Sequence, residues 1–421
     1  MTNWLAKLDP DILATIKEIG SIADERGLPA YVVGGFVRDI FLKRRNLDLD
    51  VVVEGDALSF AQNLSSVENA SLIMHRQFGT ATLILPNNLK IDVATARKEK
   101  YPASGALPVV EPGSLKDDLF RRDFTINAMA IGINRQDFGH LRDDFNGLAD
   151  LKKKKVRVLH KLSFMDDPTR ILRAVRFEQR FQFHMEAKTL ELLRAALKKK
   201  AYNAVKSERY FNEFKKILNE ARPKSPISRL VQLDGLKFLG VDLKWDAKML
   251  KSFAAIERNL AFWHEKLSNK GPLDNGLLYF MALTQRTTPH KLKEVLARFN
   301  LSKADRRKIL ESHELVKQSP HLKPKTLRPS QVFRLLRPFS YEATLFVRAA
   351  LTEKISHQRI DNFLLKYDSI KLAVDGHDLM ALGVLSDKSM GQLLDDLLDR
   401  KIDGQIRTRE EELKAAEQLT K

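Results

Sequence analysis

Asp48 and Asp50 stand two apart at the head of an apolar run, Val51-Val52-Val53. In a strand, residues i and i+2 point to the same side, so the two carboxylates share a face. Carboxylates at the edge of a buried strand are costly unless paired or metal-bound. Oxygen ligands suit hard cations, and Mg²⁺ commonly takes one or two carboxylates plus substrate phosphates. Upstream, Gly34-Gly35 follows the strand-like Tyr31-Val32-Val33 and opens a helix carrying Arg38 and Asp39. Glycine lets a backbone approach a phosphate, and the free N–H groups of a helix start bind it. An acid pair beside a phosphate turn suggests nucleotidyl transfer, in which a hydroxyl attacks the α-phosphate of a nucleotide and pyrophosphate leaves. Two Mg²⁺ ions bridged by such a pair would activate the hydroxyl and neutralise the leaving oxygens.

Two further clusters can serve the same chemistry. Arg121-Arg122-Asp123 precedes the apolar stretch from Phe124 to Ile131, which contains Asn127. Arginine offers a donor fork to phosphate, an aspartate accepts from ribose hydroxyls, and an asparagine both donates and accepts. The plainer reading is a salt bridge at a strand entrance. In Asp166-Asp167-Pro168-Thr169-Arg170, Pro168 suits the first position of a helix and makes Asp167 its N-cap. Asp167 and Arg170 then lie three apart on one helix face. An acceptor beside a planar donor fork matches the pairing edge of cytosine or adenine and mismatches guanine and uracil. The alternative is a capped helix with an i,i+3 ion pair.

The elements that would position these groups change character along the chain. Residues 10–27 carry Ile12, Leu13, Ile16 and Ile19 at helical spacing. Residues 31–34 and 47–53 read as strands, with a short helix between them, and 56–64 as a helix. Residues 71–75, 80–85 and 89–94 read as strands, the last two joined by a turn at Pro86-Asn87-Asn88. Residues 96–117, with three prolines and two glycines, read as a loop, and Phe124–Ile131 as another strand. From there helices dominate: 166–180, 186–200 and 204–219 are amphipathic, and later helices break at prolines such as Pro226, Pro272, Pro289, Pro329 and Pro338. Phe333, Phe346 and Phe363 fall at core positions. The simplest architecture is a mixed α/β head on a long helical body.

Composition agrees with an enzyme that handles a polyanion. The 421 residues suffice for roughly two or three domains. Lysine and arginine number 72 against 54 acidic residues, a formal charge of +18, and the pI is about 9.7. Such an excess favours nucleic acid, although a generally basic, soluble surface would also produce it. The runs Lys152–Lys155 and Lys198–Lys200 either touch RNA phosphates or form solvated faces. The absence of cysteine excludes disulfides, thiolate zinc sites and cysteine nucleophiles. The first twenty residues lack a signal-peptide layout, and no apolar run approaches the ~18 residues of a membrane span. A cytoplasmic protein without a membrane partner is expected.

Together the motifs resemble a family. The stretches GGFVRD…DLD, RRDFTINAMA, DDPTRILRAVRF and Ser207-Glu208-Arg209 before Phe214 are similar to the class II tRNA nucleotidyltransferases and bacterial poly(A) polymerases. Asp143–Leu151 resembles the family's neck entry, and Asp375-Gly376-His377-Asp378-Leu379 to Gly383, then Gly391, its tail motif. Asp166 stands where the family usually has Glu, and Ser386-Asp387-Lys388 where its tail usually has Pro-Gly-Pro. The loop at 96–117 also departs from the commonest wording, and in this family it influences the switch from C to A addition. The resemblance implies an α+β fold: a DNA polymerase beta-like nucleotidyltransferase head over 1–135, a helical nucleotide-selecting neck over 136–220, and a helical tRNA-binding body and tail over 221–421. It implies that Asp48 and Asp50 hold catalytic Mg²⁺, and that Gly34, Gly35 and Arg38 face the triphosphate. Arg122, Asp123 and Asn127 would hold ribose and phosphate, and Asp167 and Arg170 would act as an amino-acid template for the base. Arg173 and Arg176 would assist with phosphate or RNA, or support the fold. The implied reaction is untemplated addition of CCA, from CTP and ATP, to the 3′ end and acceptor region of tRNA. Addition of only CC or only A, poly(A) synthesis, and non-catalytic RNA binding are the alternatives in descending order.

Overall fold

The computed structural model describes residues 3–241, 243–384 and 388–420. Ser386 and Asp387, in the departing tail motif, lie outside the described residues. The chain divides into two compact units: residues 1–217 with 225–238, and 218–224 with 239–421.

The first unit is built on strands whose apolar content follows their depth. Strand β1 (Ala30–Val33) and the Val51-Val52-Val53 half of β2 (Asp48–Val53) are almost wholly buried, which suits central strands. Around them lie β3 (Ser71–His75), β4 (Thr80–Ile84), β5 (Lys90–Thr95), β8 (Ala130–Gly132) and β9 (Leu141–Arg142), in the order β3-β4-β5-β2-β1-β8-β9. Only β2 and β5 run parallel, with Asp50 opposite Asp92. The face bearing Asp48 and Asp50 continues into Val52. There it joins a core of Val33, Leu115, Leu119, Ala128 and Ala130, so burial of the far end of β2 fixes the aim of the carboxylates.

Helix α1 (Pro10–Glu25) starts under an Asp9 cap, and α3 (Ala57–Glu68) under Asp56, whose side chain accepts two N–H groups. Helix α2 (Gly34–Phe41) begins directly after β1. Later in the unit come α4 (Leu115–Phe120), α5 (Gly147–Lys152), α6 (Ser163–Asp166), α7 (Thr169–Phe181), α8 (Ala187–Lys198), α9 (Ser207–Leu218) and α10 (Lys224–Gln232). Two-residue strands β10 (Lys155–Val156) and β11 (His184–Met185) pair in parallel between them. Pro226 sits in the first turn of α10, where a proline is tolerated.

Two expectations need correction. Residues 96–117 are not a plain loop: β6 (Arg97–Lys100) and β7 (Val109–Pro112) form a hairpin, and α4 starts under a Ser114 capping box. The hairpin is bridged by the Lys100–Glu111 ion pair at 2.9 Å, and Arg97 and Glu99 pair along β6 at 3.0 Å, so no apolar alternation advertises it. Residues 124–131 are not one strand either. Phe124 makes a single bridge to Val158, residues 125–127 form one 3₁₀ turn, and only Ala130–Gly132 pairs as β8. The run is buried on all sides, and an apolar stretch without polar alternation cannot reveal its period.

The second unit is helical. It comprises α11 (Ala247–Lys266), α12 (Asn275–Thr284), α13 (Pro289–Arg298), α14 (Lys303–Gln318), α15 (Pro329–Leu336), α16 (Tyr341–Ala350), α17 (Lys354–Leu365), α18 (Gly376–Ala381), α19 (Lys388–Ile402) and α20 (Arg409–Thr420). Pro289 and Pro329 stand at the first helical position of α13 and α15. Phe333, Phe346 and Phe363 are core residues, as their spacing indicates. His377-Asp378 opens α18 behind an Asp375 capping box. Among the described residues no helix is long and apolar enough to cross a membrane.

The 3₁₀ turn bearing Asn127 is tied to α5 by Asp150, which is 1% exposed. Asp150 accepts from the Thr125 hydroxyl at 2.8 Å and from Arg157 at 2.8 Å. Asp150→Ala should cost about 2 kcal/mol by orphaning the buried hydroxyl, and Asp150→Asn less, because an acceptor remains. Thermal unfolding of both variants checks the order.

Candidate active site

The site grows from the joint between β1 and α2. Gly34 has φ +69°, a conformation that side chains resist. A Cβ there would lie 2.5 Å from Nη1 of Arg122 and 3.6 Å from Oδ2 of Asp50. Glycine thus serves both the turn and the close approach of a guanidinium. Below this turn is a cavity of about 700 Å³ within the first unit. Every residue expected at the site lines it except Gly34, which is adjacent, and Arg176. Arg176 is buried in α7, its guanidinium 4.8 Å from the centre of the Phe177 ring.

A line of buried polar groups crosses the cavity wall. Asn46 donates to Asp39 at 2.9 Å, and Arg38 forks onto Asp39 at 2.9 and 3.0 Å. Arg38 also donates to Oδ1 of Asn127 at 2.6 Å, and Asn127 donates to Asp123 at 2.9 Å. Asp123 accepts the Phe124 N–H at 2.8 Å on one oxygen and Arg173 at 2.7 Å on the other. Burial pushes the Asp123 carboxyl up, but Arg173 and the Asn127 hydrogen bond overcome it and hold the group at about 2. Burial lowers the pKa of Arg38, and Asp39 opposes that. Asp118, 0% exposed, holds both Arg121 (2.6 Å) and Arg122 (2.9 Å) from α4.

Asp48 and Asp50 are different. The β2–β5 register sets them opposite Lys90 and Asp92, and Asp48 is exposed while Asp50 is half-buried. Among the described residues no donor bonds the Asp50 carboxylate. Burial raises its pKa to about 6; Arg122 opposes this, and Asp92 and Asp48 add to it. A desolvated, donor-poor carboxylate with acidic neighbours is an oxygen site fit for a hard divalent cation. Among the described residues no group of three or more His, Cys, Asp or Glu converges as a closed metal cage, so further oxygens would come from substrate or water.

Asp167 and Arg170 both line the cavity, and both are pinned. Asp167 accepts the Thr169 N–H at 3.1 Å and its hydroxyl at 2.6 Å, as a cap would, and its other oxygen pairs with Arg209 at 2.8 Å. Arg170, 4% exposed, donates to Ser163 Oγ at 2.7 Å and to the Arg121 carbonyl at 2.6 Å. The carboxylate that the plainer reading paired with Arg170 is thus engaged by Arg209 instead.

Residues outside the sequence motifs complete the wall. Arg97, Glu99 and Tyr101 enter from β6 and the segment after it, with Glu99 bonding Arg97, Arg121 and the Tyr101 hydroxyl. Phe78, Leu107 and Val110 form an exposed apolar lip. The dense charge of Arg97-Lys98-Glu99-Lys100 before Tyr101 was the one available signal for the first three. The lining holds nine arginines against six carboxylates, a surplus suited to a polyphosphate.

A seven-stranded mixed sheet with an acid pair on β2 and a glycine turn at α2 defines a nucleotidyltransferase head. Residues 30–157 match the family described as Poly A polymerase head domain. The A-adding tRNA nucleotidyltransferase of Geobacter sulfurreducens is 34% identical over 97% of this chain and 47% of its own length, so the chain spans less than half of that protein. The A-adding tRNA nucleotidyltransferase of Halalkalibacterium halodurans is 33% identical over 90% of this chain and 85% of its own. The Thermotoga maritima CCA-adding enzyme, solved as a complex with tRNA, is 36% identical with a TM-score of 0.77, covering 99% of this chain and 98% of that one. The chain belongs to the tRNA nucleotidyltransferase and poly(A) polymerase family, whose enzymes use divalent metal ions.

The raised pKa of Asp50 carries a sign. The native carboxyl binds its proton more tightly than the unfolded one, so stability falls as pH rises from the ordinary 3.8 through about 6. Above that range the metal-free fold carries a penalty of about 3 kcal/mol at most. Asp50→Asn should raise the unfolding temperature of the metal-free protein at about pH 7.5 and leave it unchanged near pH 3.5. Added divalent cation should stabilise the parent protein at the higher pH and not the variant. Calorimetry with and without metal measures both effects.

Proposed function

We propose that the chain is a tRNA nucleotidyltransferase that builds the 3′-terminal CCA of tRNA from CTP and ATP without a nucleic-acid template. The observation that carries this reading is one cavity holding the acid pair, the arginine surplus and the Asp167–Arg170 pair together. Asp48 and Asp50 hold Mg²⁺, which when bound lowers the pKa of the attacking 3′-hydroxyl and neutralises charge on the leaving pyrophosphate. Gly34, Gly35 and Arg38 face the triphosphate, while Arg122 and Asn127 hold phosphate and ribose. Asp123, whose two oxygens are engaged, orients Asn127 and Arg173. Asp167 and Arg170 read the base, and Arg176 supports α7 by packing on Phe177. Residues 1–135 are the head, 136–220 the neck, and 221–421 a tRNA-binding body and tail in a cytoplasmic enzyme.

Addition of A alone is the second reading. It is favoured by the names of the Geobacter and Halalkalibacterium relatives, which match along 90–97% of the chain. Incubating the protein with tRNAs ending at the discriminator base, at C or at CC, with CTP, ATP or both, separates the readings by product length. Three additions to the shortest substrate support CCA synthesis, and extension of the CC-ended tRNA alone supports A addition. Failure to extend any of them overturns both.

Two variant sets test the roles. Asp48→Ala and Asp50→Ala should reduce incorporation to background while tRNA binding survives, because the metal acts on chemistry and the RNA is held largely elsewhere. Near-normal turnover in either would remove the metal assignment. Arg170→Ala and Asp167→Ala should blur the preference for CTP and ATP over UTP and GTP by about 5- to 150-fold. Asp167→Ala should also lose about 1 kcal/mol of stability with its cap. Stability loss with unchanged selectivity would sink the base-reading role.

A further inference from the structure

The second unit contains a cavity of about 780 Å³ between α13 and α14, closed by the segment before α16. Its floor is apolar: Leu292, Leu310, Val316, Phe339 and Phe346 line it. Leu310 is 41% exposed, which is unusual for a large side chain at such a place. The rim is cationic, with Lys293, Lys303, Arg306, Arg307 and Lys317 against two acids, Glu311 and Glu314. The acids are already engaged. Glu311 accepts the Ser340 N–H at 2.9 Å and pairs with Arg307 at 3.3 Å, and Glu314 meets Gln318 at 2.9 Å and Lys317 at 4.0 Å. Lys293 and Lys303 have no carboxylate partner among the described residues.

His313 adds a polar group to this apolar wall. Its Nε2 is buried and has no hydrogen-bond partner among the described residues. Burial, reinforced by Lys317, keeps the imidazole below its ordinary pKa. At neutral pH the ring is therefore uncharged, with one nitrogen donating and the other accepting.

An apolar slot with a neutral donor–acceptor group and a cationic rim matches one chemistry: a nucleobase turned out of its stack, with phosphates on either side. An apolar peptide would leave the lysines unused, and an acidic one would leave the floor dry and unfilled. We propose that this cavity holds an unstacked nucleotide of the bound tRNA, its base against Leu310 and His313 and its phosphates toward Lys293 and Lys303. The proposal rests on the tRNA reading above and adds a second, non-catalytic contact.

The test uses the full chain, Leu310→Glu, and the double variant Lys293→Glu/Lys303→Glu. Affinity is read by fluorescence anisotropy with three probes: a tRNA ending at CC, a single-stranded RNA hexamer and a blunt RNA duplex. Leu310→Glu should weaken tRNA and hexamer binding about tenfold and duplex binding by clearly less, since the added charge repels every RNA but only an unstacked base also loses the floor. The lysine variant should flatten the salt dependence of hexamer binding by about 0.7 per lost contact in log–log slope. Incorporation at saturating tRNA and the unfolding temperature should match the parent protein. Unchanged RNA affinity in both variants overturns the proposal. So does an altered sedimentation coefficient with unchanged RNA affinity, which would assign the cavity to a second copy of the chain. If the protein extends no tRNA yet the variants lose RNA affinity, the catalytic reading fails and the cavity assignment stands.

Discussion

The site depends on keeping Arg38 charged inside the fold. Its guanidinium is 6% exposed, and a buried cation is tolerated only when its donors are spent on well-placed acceptors. Asp39 takes one edge and Asn127 the other. Satisfying Asn127 in turn requires Asp123, and a buried Asp123 requires Arg173. One desolvated charge thus recruits α2, the 3₁₀ turn at 125–127 and α7 into a single chain of hydrogen bonds. The chain reaches β2 as well: Asn46 donates to Asp39 and accepts the Asp48 N–H at 2.9 Å. The start of the acidic strand is therefore held by the same network that holds Arg38. Phe177 and Phe181, stacked at 5.7 Å, give Arg38 a second surface, with its guanidinium 4.7 Å from the Phe181 ring centre.

Against that frame, two aspartates diverge. Asp123 and Asp50 are the same chemical group, yet one sits at about 2 and the other at about 6. Asp123 is saturated with donors. Asp50 has no bonded donor among the described residues; burial, Asp92 and Asp48 oppose its charged form, while Arg122 and, more weakly, Lys90 favour it. Environment alone separates them: the first carboxylate is compensated by its donors and the second is not.

The sequence displayed the groups that must be specific in type. Gly34, the Asp48/Asp50 pair and the Arg122–Asn127 cluster were visible because each needs a particular residue beside an apolar run. The central strands were visible for the same reason. What it hid were elements held by charge rather than by apolar periodicity. The β6–β7 hairpin is built from Arg97, Glu99, Lys100 and Glu111, residues that read as loop when no alternation marks them. Residues 124–131 hid for the opposite reason: where everything is buried, no face contrasts with another. Asp92 could not be placed without knowing which strand lies beside β2, a long-range fact that local pattern does not contain.

The hidden hairpin reaches Arg170 through Arg121. Arg170 spends one nitrogen on the carbonyl of Arg121, and the side chain of Arg121 bonds Glu99 of β6 and Asp118 of α4. Arg121 therefore holds Arg170 with its backbone and the hairpin with its side chain. Arg170 is held by both Ser163 and the Arg121 carbonyl, so turning it elsewhere means giving up both hydrogen bonds. The hairpin is thus coupled to Arg170 through Arg121, while β2 is tied instead to Arg38 through Asn46 and Asp39.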